Sequence, residues 1–397
     1  MNFLFQNSSY LIIILSVILI FSFRSQYLDN YEQINKKVIQ LSNKGKYKEA
    51  ISLLENISDK FPEKDYEISQ ELAFLYSKIG QQEKSIKIWE SGHHQGFFYD
   101  IFPHFKVKLD SAINYLQTSF PILKGAYLGQ KKPEKNPEIF APGIVSTSGK
   151  EFAGTFTPDG KEFYFTRSGG VQHLNTNTIM VTKIVNEKWT EPEIASFSGQ
   201  YFDFEPYITP DGKKLYFGSR RPVNENRDAT KLHQWYLERS LTGWSGPKLI
   251  EAPFVDLPVM YISSSKNGNL YFSVDTKEAG IWVSKYFKGA YLQSEKLSEQ
   301  INYLPAVLHP FINPSERYII FDAQPPGQNS NPDLYTSFRN PDGSWTKAEN
   351  MGKKINISRE MCPFMSPDGK FLFFARDGDI YWVDAEVIKD IKNSIYN

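Results

Sequence analysis

The chain has 397 residues, enough for two domains. Lysine plus arginine equals aspartate plus glutamate at 45 each, so there is no basic footprint and nucleic acid is excluded as a partner class. The one cysteine, Cys362, excludes an internal disulfide and reads as a buried thiol, and aromatic residues reach 15%, which suits sheets packed on bulky side chains.

In chain order, residues 1–25 read as a signal peptide or an N-terminal membrane anchor. The apolar run over 10–23 has the length of a signal-peptide core, and counted back to Phe3 it reaches about 20 residues, enough to span a membrane uncleaved. No Lys or Arg precedes it and no small-x-small cleavage site follows. With no cysteine nearby, a lipoprotein anchor is excluded. Arg24 and Lys36 behind the run would, by the positive-inside rule, favour a cytoplasmic C-terminal part.

Residues 29–124 are predicted helical. Val38, Ile39, Leu41, Ala50, Ile51, Leu53 and Leu54 recur at helical spacing. The turn Gly45-Lys46-Tyr47-Lys48-Glu49-Ala50 resembles the turn of a tetratricopeptide repeat, and Gly80-Gln81-Gln82-Glu83-Lys84-Ser85 stands in the matching place one repeat length later. Phe61-Pro62 would end the first unit, and Ser111 to Phe120 would supply a third helix. A generic helical hairpin is the plainer reading of the same pattern. Residues 125–136, with Gln130-Lys131-Lys132-Pro133-Glu134-Lys135-Asn136, read as a polar linker.

From residue 137 onward one pattern recurs five times. Thr157-Pro158-Asp159-Gly160-Lys161 precedes Glu162-Phe163-Tyr164-Phe165, Thr209-Pro210-Asp211-Gly212-Lys213 precedes Lys214-Leu215-Tyr216-Phe217, and Ser366-Pro367-Asp368-Gly369-Lys370 precedes Phe371-Leu372-Phe373-Phe374. Worn copies lie at Lys266-Asn267-Gly268 and Asn313-Pro314-Ser315-Glu316. Proline, Asp and Gly supply tight-turn chemistry, and the aromatic runs behind them suit buried strands. The turn residues fall at 160, 212, 268, 316 and 369, and a repeat of this length built of short strands signals a β-propeller.

A third strand follows each hairpin, as at Ile179-Met180-Val181, and a turn closed by Trp189, Trp244, Tyr291 or Trp345 leads to a fourth. The last repeat lacks a fourth strand. Pro137-Glu138-Ile139-Phe140-Ala141 reads like Glu191-Pro192-Glu193-Ile194-Ala195, so the start of the domain is expected to complete the last blade and close the ring. The fold class is therefore mainly β with an α N-terminal part: a five-bladed propeller over 137–386, with six blades as the alternative, and a C-terminal tail over 387–397, helical or frayed.

These repeats resemble the WD-like β-propeller repeat of the TolB type, the Pro-Asp repeat, over roughly residues 137–384. The resemblance implies a propeller, export to the periplasm or cell envelope, and a binding or scaffolding role. It implies no single chemistry.

The inner strands carry Glu151, Asp203, Glu205 and Glu360. A glycosidase mechanism needs two carboxylates facing one funnel, and Asp203, Glu205 and Glu360 are the catalytic candidates; the alternative is that they bond backbone of a neighbouring blade. Arg167, Arg220, Arg221 and Arg376 follow the second strands at equivalent places and are candidate ligand-binding residues for an anion, unless each pairs with an acid. Asp275 and Asp322 take that place in the other two blades. No Gly-x-Ser-x-Gly elbow is present, which excludes an α/β serine hydrolase. The six histidines show no paired metal-ligand spacing, so no metal and no cofactor are expected. The function expected is a non-catalytic exported scaffold binding other envelope proteins or peptides, or a glycan, with residues 10–23 contacting the membrane. The alternative is a carbohydrate-active enzyme.

Overall fold

The computed structural model describes residues 30–88 and 120–396 with short gaps, among them 170–176, 224–231, 275–278 and 328–330. The apolar run over 10–23, most of the expected third helix at 111–120, and Asp275 lie outside the described residues. Among the described residues no helix is long and apolar enough to cross a membrane. The chain forms two compact units, Met1–Gln95 and Gly96–Asn397.

In the first unit a helical stretch over 33–42 ends at Gly45, whose φ of 69° suits glycine and lets the Lys46 amide reach back to the Leu41 carbonyl. Helices Tyr47–Glu55 and Asp65–Lys78 follow. Ala50, Ile51 and Leu54 of the former, and Leu72, Ala73 and Leu75 of the latter, are buried one helical turn apart. The helical hairpin is therefore present. The second glycine turn, from Gly80 onward, falls partly outside the described residues.

The second unit is a five-bladed propeller of four-stranded antiparallel sheets. Blade 1 holds Lys150–Phe156, Glu162–Ser168, Thr178–Val185 and Glu193–Ile194. Blade 2 holds Asp203–Ile208, Lys214–Ser219, His233–Ser240 and Lys248–Leu249. In blade 3 the strands are Val259–Ser264, Leu270–Val274, Gly280–Ser284 and Glu295–Lys296. Blade 4 follows with Leu308–Ile312, Tyr318–Ala323, Asp333–Phe338 and Glu349–Asn350. Blade 5 takes Glu360–Met365, Phe371–Arg376 and Asp379–Asp384 from the end of the chain, and its outer strand is Glu138–Ile139 from the beginning. The register pairs Glu138 with Trp382 and Ile139 with Tyr381, and the Phe140 amide donates to the Ile380 carbonyl at 2.8 Å. Ring closure occurs where the sequence places it, and no free sheet edge remains at the junction.

The turns explain the hairpins. In blade 1 the Thr157 hydroxyl donates to Asp159 Oδ1 at 2.6 Å, the same oxygen accepts from the Lys161 amide at 3.1 Å, and Gly160 takes a φ of 69°. Blade 4 lacks the glycine, and Glu316 adopts a φ of 57° in its place. Between blades 5 and 1, Phe140, Phe156, Phe163, Phe373 and Trp382 form one aromatic core.

The stretch expected as a polar linker is not free of the ring. Tyr127 and Leu128 are buried in that aromatic core, and the Trp189 indole donates to the Gly125 carbonyl at 2.8 Å. Two large apolar side chains ahead of Gln130 outweigh the polar run behind it. The tail is a helix, Glu386–Tyr396, whose Val387 and Ile388 are buried against Ile320, Leu334 and Phe338 of blade 4 and Leu372 of blade 5.

Candidate functional site

Each inner strand breaks register near its middle: two residues bulge against one on the second strand, as at Ala153-Gly154, Glu205-Pro206, His309-Pro310 and Cys362-Pro363. The bulged residue takes a positive φ, 47° at Ala153, 56° at Glu205, 45° at His309 and 52° at Cys362. In three blades the proline that follows has no N–H to lose to the ladder. Tyr261 of blade 3 stands at the same position, and all five residues lie seven before their blade's turn residue (153 and 160, 205 and 212, 261 and 268, 309 and 316, 362 and 369). They meet at the centre of the ring. Ala153, Tyr261 and Cys362 pack together, Tyr261 meets the His309 ring edge to face at 5.6 Å, and donor atoms of Glu205, His309 and Cys362 lie within 4.8 Å of one another.

All five side chains are buried. Glu205 Oε1 is 3.2 Å from His309 Nε2, and His309 Nδ1 is 2.8 and 3.0 Å from the two Asp322 oxygens. Asp322 also accepts the Cys362 amide at 3.0 Å, so one carboxylate ties blade 4 to blade 5. The matching residue of blade 1, Thr166, accepts the Glu205 amide at 2.8 Å. Burial alone would lower the His309 pKa, but Asp322, Cys362 and Glu205 together hold it well above the ordinary range. Burial pushes the Cys362 thiol up to about 12, against the opposing pull of His309. Glu205 Oε2 is buried without a hydrogen-bond partner.

Two residues ahead of the axial position lies a different device. In blades 1, 2 and 5 this residue is acidic and pairs with a buried arginine of the second strand or the residues just after it: Glu151 with Arg167 at 2.9 Å, Asp203 with Arg221 at 2.9 Å, and Glu360 with Arg376 at 2.7 Å. Each arginine also donates to a carbonyl of the preceding loop, at Ile144, Phe197 or Ile355. The clip thus fastens the connection between consecutive blades. Burial raises the Asp203 pKa despite Arg221, Ser219 and Ser198. Arg220 is exposed, its guanidinium 4.7 Å from the Phe202 ring centre.

The sequence candidates therefore divide. Asp203 and Glu360 belong to the clips, with Arg167, Arg221 and Arg376, while Glu205 alone reaches the axis. Asp322 is corrected by one residue: it stands six after its turn residue, where Arg167 and Arg376 stand seven after theirs, so it faces His309 and not a clip. His309 and Cys362 were missed as partners of Glu205. The shared offset from the turn, reinforced in all three by the following proline, is the signal that brings them together. His93, His94, His104 and His173 lie outside the described residues.

No family model and no curated protein matches the chain. Matching solved structures include TolB from Acinetobacter baumannii, 14% identical, covering 76% of this chain and 68% of that one at a TM-score of 0.41. An α-L-arabinofuranosidase from Lactobacillus brevis is 15% identical over 54% of this chain and 79% of its own, TM-score 0.36. A gluconolactonase from Xanthomonas campestris is 9% identical over 67% and 98%, TM-score 0.37. At this identity the likeness concerns the fold alone.

Proposed function

We propose that the chain is a non-catalytic, exported binding scaffold of the cell envelope. The observation that carries this reading is the occupation of the inner-strand charges. Asp203 and Glu360 are bound to buried arginines, and Glu205 abuts His309, so the three acids do not present two free carboxylates to one funnel. Arg167, Arg221 and Arg376 are likewise engaged, leaving Arg220 as the exposed candidate for an anion.

Protein binding is supported by the rim. The hairpins that join third and fourth strands lie at the same end of the blades as the Pro-Asp-Gly turns. Those of blades 1, 2 and 3 expose Val185, Leu241 and Phe287, with Leu241 fully open and Phe287 59% exposed. Apolar side chains at three successive tips suit a protein partner better than a polar glycan. The helical unit, read as tetratricopeptide-like from its Gly45 turn, would add a second protein-binding surface, and the apolar run at 10–23 would direct export or contact the membrane.

The test compares capture from envelope fractions by the full chain and by a Leu241→Ser/Phe287→Ser double variant. A partner held by the first and lost by the second supports the reading. Unchanged capture, or glycoside turnover abolished by Glu205→Gln, sinks it.

A further inference from the structure

The axial cluster joins three donor types from blades 2, 4 and 5: a carboxylate, an imidazole and a thiol, all buried. Their geometry is close to that of a bound metal. Two ligand atoms each about 2.0–2.1 Å from a tetrahedral ion lie roughly 3.3 Å apart. Glu205 Oε1 and His309 Nε2 are 3.2 Å apart. One ligand atom from each of Glu205, His309 and Cys362 lies within 4.8 Å of the other two, against roughly 3.6 Å in a tetrahedral site with one thiolate, so the donors must close by no more than about 1.2 Å.

Two further observations point to a ligand. Asp322 grips Nδ1 of His309 with both oxygens, which aims Nε2 at the cluster, the arrangement that supports a metal-bound imidazole from behind. Glu205 Oε2, fully enclosed, has no donor. An ion pair with His309 occupies only the other oxygen, and a buried carboxylate oxygen left unmatched is unfavourable. A cation between the three donors would answer it.

We propose that Glu205, His309 and Cys362 form a site on the propeller axis for a divalent cation of the zinc class, with Asp322 as the positioning residue behind His309. The thiol and imidazole favour a borderline transition metal over calcium or magnesium, which take oxygen ligands. The ion replaces one proton on the thiol and one on the imidazole, so the net charge of the enclosed cluster is unchanged. Because its ligands come from three blades, the ion would fasten the ring at its centre. It stands apart from the rim and does not depend on the binding reading above.

The experiment refolds the full chain with Co²⁺ or with Zn²⁺, removes excess metal, and reads the absorption spectrum and metal content. The expected result is one metal per chain, with a thiolate-to-cobalt charge-transfer band in the near ultraviolet that zinc abolishes. Cys362→Ser should remove that band with the aromatic circular dichroism unchanged. Asp322→Asn should keep the band and weaken zinc binding about 10–100-fold. Wild-type protein that regains its native dichroism yet retains no metal overturns the proposal, whatever the variants do. A charge-transfer band that persists in Cys362→Ser overturns it as well.

Discussion

Ring closure rests on Phe140 more than on the two paired residues before it. Phe140 is fully buried and meets Phe163, Phe373 and Trp382 edge to face at 5.5, 5.1 and 5.3 Å. Phe140→Ala removes this anchor from the end of the strand Glu138–Ile139, which pairs the start of the domain with blade 5. A buried Phe→Ala change costs about 3–5 kcal/mol, and edge-to-face pairs add specificity of about 0.5–1.5 kcal/mol each within such a total. Measured domains hold only about 5–15 kcal/mol, so the change should consume a large share of it. At roughly 2–4 °C per kcal/mol for a domain of this size, the melting temperature of the propeller should fall by about 6–20 °C. Urea denaturation followed by tryptophan fluorescence gives the free energy, and hydrogen exchange gives the location. The Phe140 amide, bonded to the Ile380 carbonyl, should lose protection in Phe140→Ala before the central strands do. Ile139→Ala, at a half-buried position, should do much less. A Phe140→Ala variant that loses under about 1 kcal/mol and keeps its protection at Phe140 would refute the reasoning.

Glu360→Ala strands Arg376 in the interior and should destabilise by about 3–5 kcal/mol, whereas an apolar pair such as Glu360→Met with Arg376→Leu should recover most of that loss in the same denaturation assay. In the helical unit, burial raises the Glu71 pKa to about 8. A carboxyl raised in the fold is protonated there while the unfolded chain ionises, so its contribution is complete below about pH 4.5 and declines as pH rises toward about 8. Stability of that unit, measured by far-ultraviolet dichroism on heating, should fall across this window, and Glu71→Gln should flatten the profile. A profile unchanged by Glu71→Gln removes Glu71 as the cause.

The blades were legible because each is announced by local chemistry. Thr157, Asp159 and Gly160 make the turn among themselves, and the aromatic run after them can only be a buried strand. Closure was legible because Glu138-Ile139 repeats the wording of Glu193-Ile194. The axis was not, because its residues stand some fifty positions apart and differ in type. Glu205, His309 and Cys362 look unrelated until counted back from Gly212, Glu316 and Gly369. Asp322 was misplaced for a related reason: blade 4 has Glu316 where the others have glycine, so its register is poorly marked, and a slip of one residue reverses the face of a strand. Tyr127 and Leu128 escaped notice because their core is built by residues from the far end of the chain.

Drawing its last sheet from both ends gives this molecule a long wait on the ribosome. The segment around Ile139 emerges early, yet its partner at Tyr381 is about 240 residues away. At elongation rates of about 5–20 residues per second that interval lasts roughly 10–50 s. Throughout it the edge around Ile139 lacks its blade 5 strand and Phe140 lacks Phe373 and Trp382, so nascent chains halted before residue 379 should be readily cleaved by protease and those carrying the full blade should resist. A chaperone that covers this stretch until translation ends would guard the one seam on which the whole circle depends.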